Sequence, residues 1–244
     1  MKDQYVGDIG DYTKLGLLRV IENAEFSIGV NWYYTPNDGG NDGKKAGYLD
    51  SPCDTPDTDL FKELHGIRKA RKIIAIEESK LLTNVKYYND ELRGINRKSW
   101  HEKALSCLCH CDVVFLDPDN GFEIGSINPN FPDGCKYVTY DETADYFIKN
   151  NASVIIYQHW WIPPEKSGNY EGYIESLNKV KKYLPASKRT DAKLLCVKAA
   201  HRDYFLILQP NHYEKITQAI SVMLDTGWKT YMKYREEISD CVFN

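Results

Sequence analysis

"AKLLCVKAAHRDYFLILQP", residues 192–210, holds two strand-like runs separated by almost nothing. Two runs rich in β-branched, aliphatic and aromatic residues, "AKLLCVKAA" and "DYFLILQP", are joined only by His201 and Arg202. Parallel neighbours need a crossover of about a dozen residues or more, so so short a link makes the pair a hairpin. The hairpin closes something that is built differently.

Towards the N-terminus, strand and helix patterns alternate. "NYEGYIESLNKVKKYL" (169–184) reads as a helix, "ASVIIYQHWW" (152–161) as a strand and "DETADYFIKNN" (141–151) as a helix. "DVVFLDPDNGFE" (112–123) is an apolar strand that ends in a polar tip. "SWHEKALSCLCH" (99–110) reads as a helix, with Ser99 and Glu102 spaced as a capping box. "NVKYYND" (84–90) and "KIIAIEE" (72–78) read as strands ending in acids. "DTDLFKELHGIRKA" (57–70) reads as a helix with Asp57 as N-cap. "EFSIGVNWYY" (25–34) is a strand that runs into a Gly-, Asn- and Asp-dense loop over 35–52. "DYTKLGLLRVIENA" (11–24) spaces Leu15, Leu18 and Ile21 along one helical face. After the hairpin, "NHYEKITQAISVMLDTG" (211–227) is the last long helix.

This alternation predicts an α/β fold: a Rossmann-like three-layer sandwich, with a mostly parallel sheet and an antiparallel C-terminal strand pair. The 244 residues suit one domain over 1–244, with an N-terminal helical segment at 1–24. In such sheets, functional groups gather beyond the carboxyl ends of the strands, at the switch point. Those ends are Asn31 to Tyr34, Glu77-Glu78, Asn89-Asp90, Asp117 to Gly121 and Gln158-His159. All are polar or aromatic and fall on one edge.

Composition narrows the classes. The net charge of −4 is not the footprint of a strongly basic nucleic-acid binder. Basic runs do occur at 67–72, 93–98 and 179–189, where solvated helix faces or phosphate contacts both fit. No apolar stretch reaches membrane-spanning length, and "MKDQYVGDIG" (1–10) lacks the apolar region of a signal peptide. The chain therefore reads as cytoplasmic, with no membrane partner. Seven cysteines, an odd number without framework spacing, read as reduced thiols. "CLCHC" (107–111) reads as packing rather than zinc, since a zinc site draws on two separated segments.

Parallel strands closed by an antiparallel pair resemble the class I S-adenosylmethionine-dependent methyltransferase fold. Amino-methyltransferases of that fold carry [DNS]-P-P-[YFW] at the end of the fourth strand, and Asp117-Pro118-Asp119-Asn120 stands at that place. In element order the chain is most similar to the large-subunit ribosomal RNA adenine-N6 methyltransferases. Those open on G-N-x-A-D-x-x-K-H; here Gly7-Asp8-Ile9-Gly10-Asp11-Tyr12-Thr13-Lys14 opens the chain, and Leu208-Gln209-Pro210 resembles their closing N-P. "FLDPDNG" (115–121) is also similar to a stretch of bacterial proteins with no assigned activity. Two departures stand out. The glycine-rich cofactor loop is replaced by "GVNWYY" (29–34), and the tetrapeptide lacks its second proline and its aromatic.

The resemblance implies methyl transfer from S-adenosylmethionine to an amino nitrogen, on a base of DNA or RNA. It places Asp117, Pro118, Asp119 and Asn120 at the catalytic tip, with His159 beside them. Asp8, Asp11, Lys14, Asn31, Glu77 and Asp90 would surround the cofactor, with Glu77 on the ribose hydroxyls and Asp90 facing the adenine amine. Phe122, Trp160 or Trp161 would stack on the flipped base in place of the missing aromatic, and Arg97 would hold substrate.

Two other readings remain open. Asp117-x-Asp119 is also a pair of carboxylates that could hold Mg2+, with His159 as acid or base and Lys14 or Arg97 on a phosphate, as in a phosphohydrolase or nuclease. Alternatively, the fold has lost its cofactor and binds a nucleotide or a protein. For Asp117 itself the plain alternative is a turn, since Asp, Pro, Asn and Gly each favour one.

Overall fold

The computed structural model describes residues 1–39, 47, 55–159, 170–189, 191–199 and 202–235. It is an α/β sandwich built on a seven-stranded sheet. In chain order the strands of that sheet are β1 (Ile28–Asn31), β2 (Val85–Tyr88), β3 (Val113–Leu116), β6 (Ser153–His159), β7 (Lys193–Ala199), β8 (Arg202–Leu208) and β9 (Met232–Arg235). The spatial order is β2-β1-β3-β6-β8-β7-β9. A separate parallel ribbon pairs β4 (Gly121–Phe122) with β5 (Tyr137–Val138).

β1 pairs in parallel with both β2 and β3, and β3 with β6. The hairpin behaves as its short link requires. β8 lies antiparallel between β6 and β7, with Val154 opposite Ile207 and Leu194 opposite the same residue. One strand beyond the expected pair, β9, extends the sheet along β7.

Period-two side chains make the three layers. Val113 and Phe115 enter one core, and Val114 and Leu116 the other. The first core is covered by α1 (Ile9–Asn23), α2 (Thr58–Ile67), α3 (Ile73–Glu77) and α8 (Pro210–Leu224), with Leu15, Leu18, Ile216 and Ile220 fully buried. The second is covered by α4 (Arg97–Cys107) and α5 (Tyr140–Lys149) through Trp100, Ala104, Tyr146 and Phe147. On the same side α6 (Tyr170–Tyr183) packs on α5, and a short α7 (Ala186–Arg189) leads into β7. Strands buried on both faces read as continuous apolar runs, as "VIIY" (154–157) does.

Asp57 caps α2 as expected, accepting from the Leu60 amide at 2.9 Å. Two local expectations are corrected. "KIIAIEE" is a helix, not a strand: Ile73 and Ile76 are buried one turn apart while Ile74 is half exposed. A four-residue apolar run fits either period, and here the Asp3 carboxylate accepts from the Ile73 amide at 2.9 Å and starts the turn. The parallel part of the sheet therefore has four strands instead of five. Ser99 is not an N-cap either. Its helix starts at Arg97, and its hydroxyl donates to the Asn96 carbonyl at 3.0 Å. A capping box does form at α5, where Thr139 and Glu142 exchange bonds.

Cys111 is buried and packs towards Gly29, Cys107 is half-buried and Cys109 is exposed. Among the described residues no group of His, Cys, Asp and Glu is arranged to hold a metal, and no helix is long and apolar enough to cross a membrane.

Candidate functional site

The strand order turns back at β1, which has β2 on one side and β3 on the other. The crevice beyond the carboxyl ends of β1 and β3 is therefore the switch point. Both chains leave the sheet there. Tyr33, two residues after β1, takes a left-handed conformation (φ 46°), the kind of turn a glycine would make without strain. Asn31 holds that turn: its amide oxygen accepts from the Tyr33 amide at 3.1 Å and its amide nitrogen donates to the Tyr146 hydroxyl at 2.9 Å. Asn31 is thus buried and shapes the site from behind.

Asp117 follows β3, and its amide donates to the Asn31 carbonyl at 2.9 Å. Its carboxylate lies 2.6 Å from Lys14 Nζ, and Lys14 is also 3.0 Å from Asp11. All three are buried. The Lys14 ammonium sits 5.2 Å from the Trp32 ring centroid. Burial works to lower the Lys14 pKa, but the two carboxylates outweigh it and hold the group above its ordinary value. Burial pushes the Asp11 carboxyl up to about 6, against the pull of Lys14. Asp11 also accepts from the Gly7 amide at 2.7 Å. Asp8 caps α1 through the Gly10 and Asp11 amides and lies 3.7 Å from Arg202.

Asp119 is nearly as buried as Asp117, and its charge is answered by the start of the chain. Its Oδ1 is 2.9 Å from the Met1 ammonium and its Oδ2 is 3.3 Å from Lys2 Nζ. The Met1 ammonium also donates to the carbonyls of Trp32 (2.9 Å), Tyr33 (3.2 Å) and Asp117 (2.9 Å). Three carbonyls and a carboxylate so converge on one nitrogen at the switch point. Nothing in the order of residues marks Met1 or Lys2 for this place; only the folded N-terminal segment brings them there.

The remaining expected residues divide. Glu77 stands at the end of α3 and reaches the same edge, accepting from Trp32 Nε1 and from Asn89 Nδ2, both at 2.8 Å. It is corrected from a strand end to a helix end, and its carboxylate is engaged in fixing the Trp32 ring. Asp90, just past β2, is exposed and accepts from the Tyr88 hydroxyl at 3.3 Å. Asn120 belongs to the β4–β5 ribbon: its amide donates to the Lys136 carbonyl, and its carbonyl accepts from Gln158 Nε2. Pro118 links the two acids of the tip. His159 ends β6 and is exposed, opposite Arg202 in the register.

Two expectations are corrected by burial. Phe122 lies wholly in the core, stacked on Tyr140 with centroids 5.1 Å apart, and offers no face to a base. Arg97 is buried and fully committed. It pairs with both oxygens of Glu142 at 2.7 Å and donates to the carbonyls of Pro129, Gly134 and Tyr137. It fastens the 124–137 segment and has no donor to spare for a phosphate. Trp160 and Trp161 lie outside the described residues, as do residues 40–46 and 48–52 of the Gly-, Asn- and Asp-dense loop.

The edge thus gathers Asn31, Glu77, Asp90, Asp117, Asp119 and Lys14, and removes Phe122 and Arg97. In comparisons with protein-family models, curated proteins and solved structures, none matches this chain.

Proposed function

We propose that this protein transfers a methyl group from S-adenosylmethionine to an amino nitrogen, on a nucleic-acid base. The observation that carries the reading is the insertion of β8, antiparallel, between β6 and β7 in a sheet whose other half is parallel. That order resembles the class I methyltransferase fold, with one parallel strand fewer because "KIIAIEE" is helical and with β9 added beyond β7.

The residues at the switch point fit the cofactor. Carbonyls of Trp32, Tyr33 and Asp117 already surround an ammonium, the group that ends the cofactor's methionine portion. Tyr33 supplies the left-handed turn that the absent glycines would have made. Asp90 is the exposed carboxylate at the end of β2, next to β1, and we assign the ribose hydroxyls to it rather than to Glu77, whose carboxylate is bonded to Trp32 and Asn89. Bound there, the cofactor supplies an electrophilic methyl group. The chain's own part is positioning: the Pro118 carbonyl and the Asp117 carboxylate accept from an incoming amine and aim its lone pair. Lys14 fixes the Asp117 carboxylate from behind.

The phosphoryl-transfer reading fares less well on charge. Asp117 and Asp119 are neutralised by Lys14, Lys2 and the Met1 ammonium, which Mg2+ would have to displace. One thermal-shift experiment separates the readings. S-Adenosylhomocysteine at about a hundred times its dissociation constant should add about 2.7 kcal/mol of stability. No shift at millimolar ligand sinks the proposal, and a shift with Mg2+ or Mn2+ alone moves it to phosphoryl chemistry.

A further inference from the structure

Arg202, at the start of β8, is a buried cation whose donors are left open. Its side chain is 8% exposed, and its guanidinium lies over the Tyr157 ring, 5.3 Å from the centroid. Stacking uses the flat face of the group and leaves its in-plane N–H donors for another partner. Among the described residues those donors make no hydrogen bond. The nearest acid is Asp8, at 3.7 Å, too far to accept one. Asp8 Oδ1 already accepts from the Gly10 and Asp11 amides at 2.6 and 3.3 Å, and Asp11 is held by Lys14 and the Gly7 amide. A buried guanidinium with unfilled donors is costly, and the chain itself does not supply the acceptor that would offset this.

The surroundings make room for the group. A Cβ on Gly10 would collide with Arg202 Nη1. Arg202 also stands on the same side of the sheet as the tip after β3. Tyr157 and Tyr204 enter the first core, and Arg202, two residues before Tyr204, shares that face. Asp117 turns to the same side, where Lys14 of α1 meets it. Leu116 pairs with Ile156, which sets Asp117 level with Tyr157, and Tyr157 pairs with Tyr204. Strands about 4.8 Å apart and a rise of about 3.3 Å per residue put the Asp117 and Arg202 backbones roughly 12 Å apart. A base at the tip and a phosphate of the same nucleotide unit can cover that span.

We propose that Arg202 is the phosphate anchor of the substrate: its guanidinium takes two oxygens of a nucleotide phosphate while the base reaches Asp117 and Pro118. The planar fork matches a phosphate bidentately. What becomes of the base rests on the methyltransferase reading; the hold on phosphate rests on the open guanidinium alone. Arg202 thereby takes the substrate-holding part that Arg97, committed to Glu142, does not play.

Two measurements test this. The first is calorimetric titration of the unaltered chain with adenosine and cytidine 5′-monophosphates and with the bare nucleosides, S-adenosylhomocysteine being present in excess. At least one monophosphate should bind about tenfold more tightly than its nucleoside. The second is fluorescence anisotropy with short labelled single-stranded DNA and RNA over a range of salt. Arg202→Met should bind about tenfold more weakly whatever the sequence, and its slope of log affinity against log salt should be shallower by about 0.7. Arg202→Lys should keep the slope and lose part of the affinity.

No gain from phosphate, free or in a strand, overturns the anchor. So does a folded Arg202→Met chain that binds both ligands as the parent does. If that variant does not fold, Arg202→Lys carries the test, and parent-like affinity for both ligands overturns the anchor. Dependence on Arg202 for the monophosphate alone assigns the site to a free nucleotide, and dependence for the strand assigns it to nucleic acid. The thermal shift with S-adenosylhomocysteine keeps the two readings apart. Phosphate binding that depends on Arg202 in a chain with no cofactor shift supports the anchor, and it is the methyltransferase reading that fails. A cofactor shift with phosphate binding indifferent to Arg202 removes the anchor alone.

Discussion

Lys14 and Asp117, 103 residues apart in the chain, meet at 2.6 Å in the interior of the protein, and Asp11 shares the same ammonium at 3.0 Å. Two carboxylates and one lysine are thus buried together at the junction of α1 with the end of β3. Replacing Lys14 by Met leaves both acids without their cation. The expected loss is about 3–5 kcal/mol in urea unfolding. Asp117→Asn in the same background should recover part of it, and strict additivity of the two changes would show that the pair is not coupled.

Gly121 and Gln158 form a second dependency. Gly121 has φ of 99°, and a Cβ there would stand 2.2 Å from Gln158 Oε1. The same side chain accepts from the Phe122 amide and donates to the Asn120 carbonyl, which holds the tip after β3 in place. Gly121→Ala should destabilise by more than the roughly 1–2 kcal/mol of a left-handed alanine alone. In a Gln158→Ala background its cost should shrink towards that value, because the collision is gone. Thermal unfolding of the three variants settles it.

Arg97→Lys is expected to be far from conservative. An ammonium cannot pair with both Glu142 oxygens and also reach the carbonyls of Pro129, Gly134 and Tyr137. We expect a loss of about 2–4 kcal/mol and faster proteolysis within residues 124–137. Unchanged stability would mean that the guanidinium network contributes nothing net.

His212 sets a pH dependence. Burial lowers its pKa from the ordinary 6.5, and its Nδ1 lies 3.0 Å from the Ser153 hydroxyl. The unfolded chain then binds a proton more readily than the folded one between the two values. Stability from this group is present above pH 6.5 and declines as the pH falls through the folded value. Denaturant midpoints measured across that range should flatten in His212→Gln.

At the candidate site, Asp90→Ala should abolish the thermal shift given by S-adenosylhomocysteine while leaving the unliganded melting temperature nearly unchanged, since Asp90 is exposed. Glu77→Ala should do the reverse in emphasis, lowering stability by freeing Trp32. Equal effects of the two on ligand response would return Glu77 to the ribose.

Local pattern was enough for the layered α/β plan, the closing hairpin, the Asp57 cap and the gathering of polar strand ends on one edge. Each rests on a local cause: side-chain period, link length, or a cap within three residues of its partner. Lys14, Asp11 and Asp117 were singled out in the sequence from an N-terminal segment and a strand end, and the fold brings the three together. The remaining features depend on partners far apart in the chain. Asp3 turns "KIIAIEE" into a helix, Glu142 claims Arg97, and Tyr140 covers Phe122. The cage at the switch point belongs to the same class. Its oxygens come from residues 32, 33, 117 and 119, and its nitrogen from residue 1. Backbone carbonyls carry no sequence signature, so no pattern of side chains could have announced it; the adjacency of β1 and β3 creates it.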